Sequence, residues 1–494
     1  MFSHVATFDD SIPHMQGITD LEVVTVDDTV MLYTGSEADG GLSAFTLTAG
    51  GAAVYTDQIG AAENRGTYGL SDLDSVTVDG QTILVPAGRH DDRLGFHVLG
   101  PEGELGTVEI LGGDTEYLGN LEDVLVLQVG DKTYMVASQW GGSGFMSFEI
   151  RNDLTVGYKN TFEDTETAHI GAVSDLVGIE AYGRTYFFAA STLEDGVTSY
   201  WMGQWGNIKE RDSEDASTGL YLSEPTVMET VVVDGIAFLI VGGSGSSSLS
   251  VMKVNVWGGL FQKDHVLDDR DSRFDGVTAL EVFSVGDRSF LLAGGADDGL
   301  TLFEVAPGGY LIELASIADD VGMTLSNVSD IEAVVFGNEV QVFVSSASEP
   351  GVTQLTLDLG DLGAMITGWM EADTLTGTAA DDILMGYDGD DVISGGDGDD
   401  IIMDGAGADL LTGGAGADRF VFSDEARLDR VTDFTPGEDV IDLSSYDMLY
   451  GVDQLTFVQK DYGVLIEFGE ERIALETEGA QLLVGDLSAD DFLF

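Results

Sequence analysis

Two periods in the sequence predict an all-β chain in two parts: a seven-bladed β-propeller over residues 1–365, then a parallel β-roll over residues 366–494. In the first part the apolar residue opening each strand-like run returns at Leu21, Leu73, Val124, Leu176, Met228, Leu280 and Ile331, 51 or 52 residues apart. A second phase, at Phe45, Phe96, Phe148, Tyr200, Met252, Phe303 and Leu355, keeps the same spacing. Between Gly368 and Val421 the period shortens to nine residues, and six successive units carry Asp at the sixth place and Leu, Ile or Phe at the eighth.

Each long repeat reads as strand throughout. In the second copy SDLDSVTVDG, QTILVPAGR, an acidic turn, RLGFHVL, GPEG and ELGTVEIL follow one another. These are four short runs with β patterning, separated by glycine and aspartate turns, and they show no helical period. Seven such units make a propeller or, alternatively, an array of hairpins in a sandwich or solenoid. Closure favours the propeller. The seventh copy stops after TQLTLDLGDLG, one strand short, whereas the chain opens with HVATFDDSIPHMQG, which resembles the missing piece. A ring closed by its own N-terminal strand leaves no open edge. The second copy also resembles the blade repeat of lactonase-like seven-bladed propellers. That resemblance covers blade grammar only, and none of that family's catalytic residues can be placed here.

The nine-residue units are best formed at GYDGDDVIS from Gly386, GGDGDDIIM from Gly395 and GGAGADRFV from Gly413. Glycine permits a tight turn with carbonyls directed inward. Aspartate adds a hard anionic oxygen of the kind Ca²⁺ prefers, and the aliphatic residue two places on enters a core-facing strand. The window from Gly368 to Val421 holds twelve Asp, one Glu and one Arg, so it repels itself unless cations are bound. An acidic linker shares this composition but not the phase. Glu371 and Ala380 replace glycine in the first two units, as befits a terminal cap.

This segment resembles the RTX family of type I secreted bacterial proteins. The resemblance implies a β-roll in which turns two units apart share each Ca²⁺. Its ligands would come from Asp373, Asp382, Asp391, Asp400, Asp409 and Asp418, on turns opened by Gly386, Gly389, Gly395, Gly398, Gly407 and Gly416. The stretch FVFSDEARLDRVTDFTPGEDVIDLS from Phe420 resembles the segment after the roll in serralysin-like proteins, and the ending LSADDFLF resembles an uncleaved secretion signal. The resemblance thus implies calcium as cofactor, the type I secretion machinery as partner and an extracellular destination.

Composition agrees. A formal net charge of −70 argues against nucleic acid or anionic membrane as partner, and 44% apolar residues supply a large core. There is no cysteine, as suits a chain exported unfolded. The N-terminus lacks the basic and apolar regions of a Sec signal, and no stretch reaches 18 apolar residues. The NVS sequon at Asn327 would be incidental in the bacterial protein that the resemblance implies.

In the propeller, carboxylates flank the first apolar phase at Asp20, Glu22, Asp72, Asp74, Asp123, Asp175, Glu229, Glu281, Asp330 and Glu332. Positions two apart share a strand face. With the first strand innermost, these ten acids surround an axial channel, where Asp20, Asp72, Asp123, Asp175 and Asp330 form a candidate metal or cationic-ligand site. The alternative is that they accept hydrogen bonds from backbone amides at strand starts. A second acidic loop set contains Glu37, Asp39, Asp91, Asp92, Glu194, Asp195, Asp297, Asp298 and Glu349. Arg89 and His90 beside Asp91 and Asp92 lack a matching nucleophile, so His90 reads as a surface histidine. Tyr200, Trp201, Trp205, Trp140 and Trp257 suit either sugar stacking or blade packing. HExxH, GxSxG, a P-loop and a cysteine nucleophile are all absent. Two functions stay open: an extracellular binding or matrix module for a glycan or protein partner, and a metal-dependent, lactonase-like hydrolase at the channel mouth.

Overall fold

The computed structural model describes residues 1–61, 66–110, 118–165, 167–270, 272–446, 448–477, 479 and 481–494, without the side chains of 107–110. It divides into two compact units, Met1–Asp358 and Leu359–Phe494.

The first unit is seven four-stranded antiparallel sheets. Six are built from consecutive strands. The seventh takes three strands from Val328–Phe336, Glu339–Ser346 and Val352–Leu357, and its fourth, Phe2–Phe8, from the start of the chain. Phe2 pairs with Leu357 and Phe8 with Val352, so the ring is closed by its own N-terminal strand. The first strands of neighbouring blades, such as Ile18–Val26, Leu70–Val78 and Leu121–Val129, contact one another around the ring and line the axis. Apolar cores lie between blades. Blades three and four, for example, enclose Phe145, Phe187 and Tyr200, with Phe187 and Tyr200 stacked at 4.9 Å. Successive side chains on a strand point to opposite faces, so each blade feeds two such interblade cores.

The second unit is a stack of short, mostly parallel strands in two sheets, one of six strands and one of seven. Pairing advances by 18 residues per turn: Val392 joins Leu410, and Ile383 joins Ile401, which joins Arg419. The eighth-place residues Leu375, Leu384, Ile393, Ile402, Leu411 and Phe420 stack into one dry core. The sequence places the join between the parts near residue 365, and the first strand of the roll is Leu362–Thr367. After the repeats the pairing offset grows to 20 and 21 residues. A hairpin, Val464–Phe468 with Glu471–Leu475, then continues one sheet, and Phe492–Leu493 continues the other.

Candidate functional site

In most blades the inner strand begins with a bulge. Register shifts between Ile18 and Asp20, Leu70 and Asp72, Val173 and Asp175, Pro225 and Val227, and Val328 and Asp330. A bulge re-aims the side chain it carries. Here that residue is Thr19, Ser71, Ser174, Thr226 or Ser329, and its hydroxyl donates to a carbonyl of the next blade at 2.6–3.2 Å. Thr278 does the same for Val328. In the third blade Glu122 takes this place and is held by the Arg89 guanidinium in two bonds of 2.8 Å. This ring of hydroxyls went unread in the sequence, although it repeats two residues before the first apolar phase.

The carboxylates come next. The ten fall into two rings of five, with Asp20, Asp72, Asp123, Asp175 and Asp330 before the apolar residue and Glu22, Asp74, Glu229, Glu281 and Glu332 after it. All except Asp74 line one cavity of about 590 Å³ on the axis, and Arg89 is the one cation among its lining residues. Many reach across blades to backbone amides. Asp72 accepts from Val124 at 2.8 Å, Asp74 from Val126 at 2.5 Å, Asp330 from Leu21 at 2.6 Å and Glu281 from Ala333 at 3.0 Å. Asp175 accepts from Met228 and Asp123 from Leu176. Asp72, Asp74, Asp123, Asp175, Glu281 and Asp330 thus cap amides of the next blade. Asp20 keeps an unpartnered, buried Oδ2.

Loss of bulk water, and then mutual repulsion, raises these acids against the pull of their amide bonds. Asp72 is lifted to about 6, Asp74, Asp175 and Asp330 to about 7, and Glu229 to about 8. Asp20, Glu22, Asp123, Glu281 and Glu332 stand well above the ordinary range for the same reasons. Such a well holds protons or cations. At its rim Trp140 is exposed, and Tyr68, His90 and Trp140 form a row of edge-on rings 5.8 and 5.9 Å apart. His90 thus packs between rings instead of forming an acid–base pair, and Asp91 accepts from the Tyr68 amide at 3.0 Å. In the second loop set Asp195 and Asp298 cap the amides of Glu224 and Asn327 in the next blade.

In the roll each turn is tied to the one above by an aspartate. The Asp391 amide donates to Asp409 Oδ1, and those of Asp373, Asp382 and Asp400 donate to Asp391, Asp400 and Asp418, all at 2.7–3.0 Å. The other oxygen, Oδ2, of Asp391, Asp400, Asp409 and Asp418 is buried with no hydrogen-bond partner. Desolvation lifts Asp400 to about 6 and Asp409 and Asp418 to about 7. Asp373 and Asp382 differ: their Oδ2 atoms accept from the amides of Trp369 and Thr378, so they close the first turns. The glycines answer to sterics. A Cβ at Gly386 or Gly395 would strike the Oδ2 of Asp391 or Asp400, and one at Gly407 or Gly416 would overlap the carbonyl of Gly389 or Gly398 in the turn below. Gly389, Gly398 and Gly416 also have positive φ.

The model of the RTX calcium-binding nonapeptide repeat, four copies long, matches residues 371–402 and 394–424. Residues 371–424 are RTX repeats. The RTX repeat is a calcium-binding unit typical of secreted bacterial proteins, and four buried carboxylate oxygens without donors fit a hard cation. No helix is long and apolar enough to cross a membrane among the described residues. Comparison with curated proteins gives no match. Among solved structures, a functionally unknown protein from Desulfotomaculum acetoxidans is similar at 11% identity, covering 65% of this chain and 93% of its own, with a TM-score of 0.45. A Lactobacillus plantarum protein is similar at 16% identity, 65% and 93% coverage and a TM-score of 0.44. The periplasmic gluconolactonase of Pseudomonas aeruginosa is similar at 14% identity, 60% and 84% coverage and a TM-score of 0.44. No activity is carried over from them.

Proposed function

We propose that this is an exported calcium-dependent binding protein. Its roll takes up Ca²⁺ through Asp391, Asp400, Asp409 and Asp418, and its propeller offers an acidic axial well to an extracellular ligand. The observation that carries the reading is the column of free, buried Oδ2 atoms. Bound Ca²⁺ would supply the countercharge that lets these turns stack. In a calcium-poor cytosol the uncompensated column keeps the roll unfolded and threadable, and millimolar calcium outside folds it. Export by the type I machinery would use the last stretch, so deletion of residues 440–494 blocks secretion.

For the propeller, the exposed Trp140 beside a carboxylate well favours a glycan, whose rings stack on the rim while a cation or amino group sits among the acids. The test is glycan binding by the full chain in calcium. Trp140→Ala weakens it by about tenfold, the effect of losing one stacking contact of roughly 1.5 kcal/mol. Unchanged affinity would remove the glycan reading and leave a protein partner. Metal-dependent hydrolysis is the second reading, favoured by carboxylates at about 6, 7 and 8 in one cavity. Steady turnover of a lactone or ester that Asp175→Asn abolishes would establish it instead.

A further inference from the structure

The fifth nonapeptide opens with Asp404 where its neighbours open with Gly395 and Gly413. In those neighbours a Cβ would lie against the Oδ2 of the unit's own aspartate, Asp400 or Asp418. A side chain at this place is therefore delivered onto the calcium-facing oxygen of its unit. In the fifth unit that side chain is itself a carboxylate, fully buried. Asp404 Oδ1 is fixed by the amides of Gly405 and Ser423 at 2.6 and 3.0 Å, and its Oδ2 has no partner.

The groups around it are held in the same way. Asp404, Asp409 and Asp429, all buried, bring one oxygen each within 4.8 Å of the others. Asp429 Oδ1 accepts from the Asp409 amide at 3.0 Å. Glu425 spends Oε2 on the Gly407 amide at 2.6 Å, and Glu471 spends Oε1 on the amide of Ala426. Glu425 Oε1 and Glu471 Oε2 are then buried without partners, as is the hydroxyl of Tyr446. Repulsion from Asp429 and Asp409 adds to burial in lifting Asp404, and Glu425 and Glu471 act likewise on Asp429. Arg427, Asp424, Asp390, Asp391 and Tyr446 are other charged or titratable groups that face this cluster.

We propose that Asp404, Asp409 and Asp429, with Glu425 and Glu471, form a Ca²⁺ site that ends the column at Asp409 and latches the C-terminal hairpin to the end of the roll. It differs from the nonapeptide turns in its donors. A side chain replaces the opening glycine, and three ligands, Glu425, Asp429 and Glu471, lie beyond the repeats, the last of them on the hairpin strand Glu471–Leu475. Asp404, Asp409, Glu425 and Glu471 each use one oxygen to hold backbone and keep the other buried without a hydrogen-bond partner, so the site is preorganised and all-oxygen. Five carboxylates without a cation would resist burial together. The latch would thus make closure of the hairpin on the Leu428–Val431 strand depend on calcium, even where the repeat turns are already filled.

The inference rests on the calcium reading of the roll, and the test separates the two. Native mass spectrometry of the full chain counts bound Ca²⁺, and hydrogen exchange follows residues 456–475. The isosteric Glu471→Gln and the repeat-restoring Asp404→Gly are compared with the parent. The expected result is one Ca²⁺ fewer in Glu471→Gln, loss of calcium-dependent hairpin protection in both variants, and retained protection of residues 383–411. Parent stoichiometry and parent hairpin protection in both variants would overturn the latch and leave the repeat sites standing. A parent chain that binds no Ca²⁺ would overturn both.

Discussion

The propeller and the roll use the same device to different ends. In both, an aspartate accepts a backbone amide from a neighbouring repeat: Asp72 from Val124 around the ring, Asp391 from Asp373 along the stack. In both, burial and like neighbours raise the acids. The difference lies in what surrounds the carboxylates. Those of the propeller face an axial cavity of about 590 Å³, and the blades close on large aromatic cores such as Phe145, Phe187 and Tyr200. Asp391, Asp400, Asp409 and Asp418 of the roll lie inside the turns, at most 2% exposed, beside the stacked apolar core. The first set borders an open cavity, whereas the second is enclosed by the turns, where a bound cation would offset the cost of burial. Stability that depends on calcium should therefore belong to one part of the chain and not the other.

Matched substitutions break or sharpen this contrast, and the largest effect is expected in the roll. Asp400→Asn keeps an acceptor for the Asp382 amide but replaces the charged free oxygen, so the calcium midpoint of roll folding rises by about tenfold or more. Asp72→Asn keeps the Val124 bond and leaves propeller melting nearly unchanged. Circular dichroism against calcium and temperature reads both, and equal responses would erase the distinction. The next effect is at the seam of the ring. Asp330→Ala strands the Leu21 amide between the last blade and the first, at a cost of about 1–3 kcal/mol in denaturant unfolding of the propeller.

The smallest effect is a pH dependence in chelator. Asp72, Asp175 and Asp330 are raised from 3.8 to about 6, 7 and 7. Between those values the folded chain holds protons that the unfolded chain has released. The contribution is full below about pH 4 and is lost as the pH rises through 6 to 7. Propeller melting should fall over that interval, shallowly because the cavity admits water. A rise would mean the acids are ionised and paired.

Much of this was legible in the sequence because it is periodic. The 51- and 52-residue phases mark the inner and third strands, and Asp391, Asp400, Asp409 and Asp418 keep their place in the nonapeptide. What escaped notice is what breaks a period or depends on a single bond. Asp373 and Asp382 carry the repeat's aspartate, yet amides of Trp369 and Thr378 occupy the oxygen that their neighbours leave free. Asp404 occupies a glycine position and gains meaning only beside Glu471, which lies beyond the repeats and is brought in by the hairpin. Thr19, Ser71 and their equivalents needed the bulge to be seen, since in a regular strand they would not be aimed at the next blade.

The most direct test of the central claim is hydrogen exchange on the full chain across a calcium titration. The account predicts that residues 383–475 pass from unprotected in chelator to protected in millimolar calcium, while the inner blade strands, such as 70–78 and 173–181, stay protected throughout. A roll already protected in chelator, or a propeller that loses protection together with it, would contradict the account.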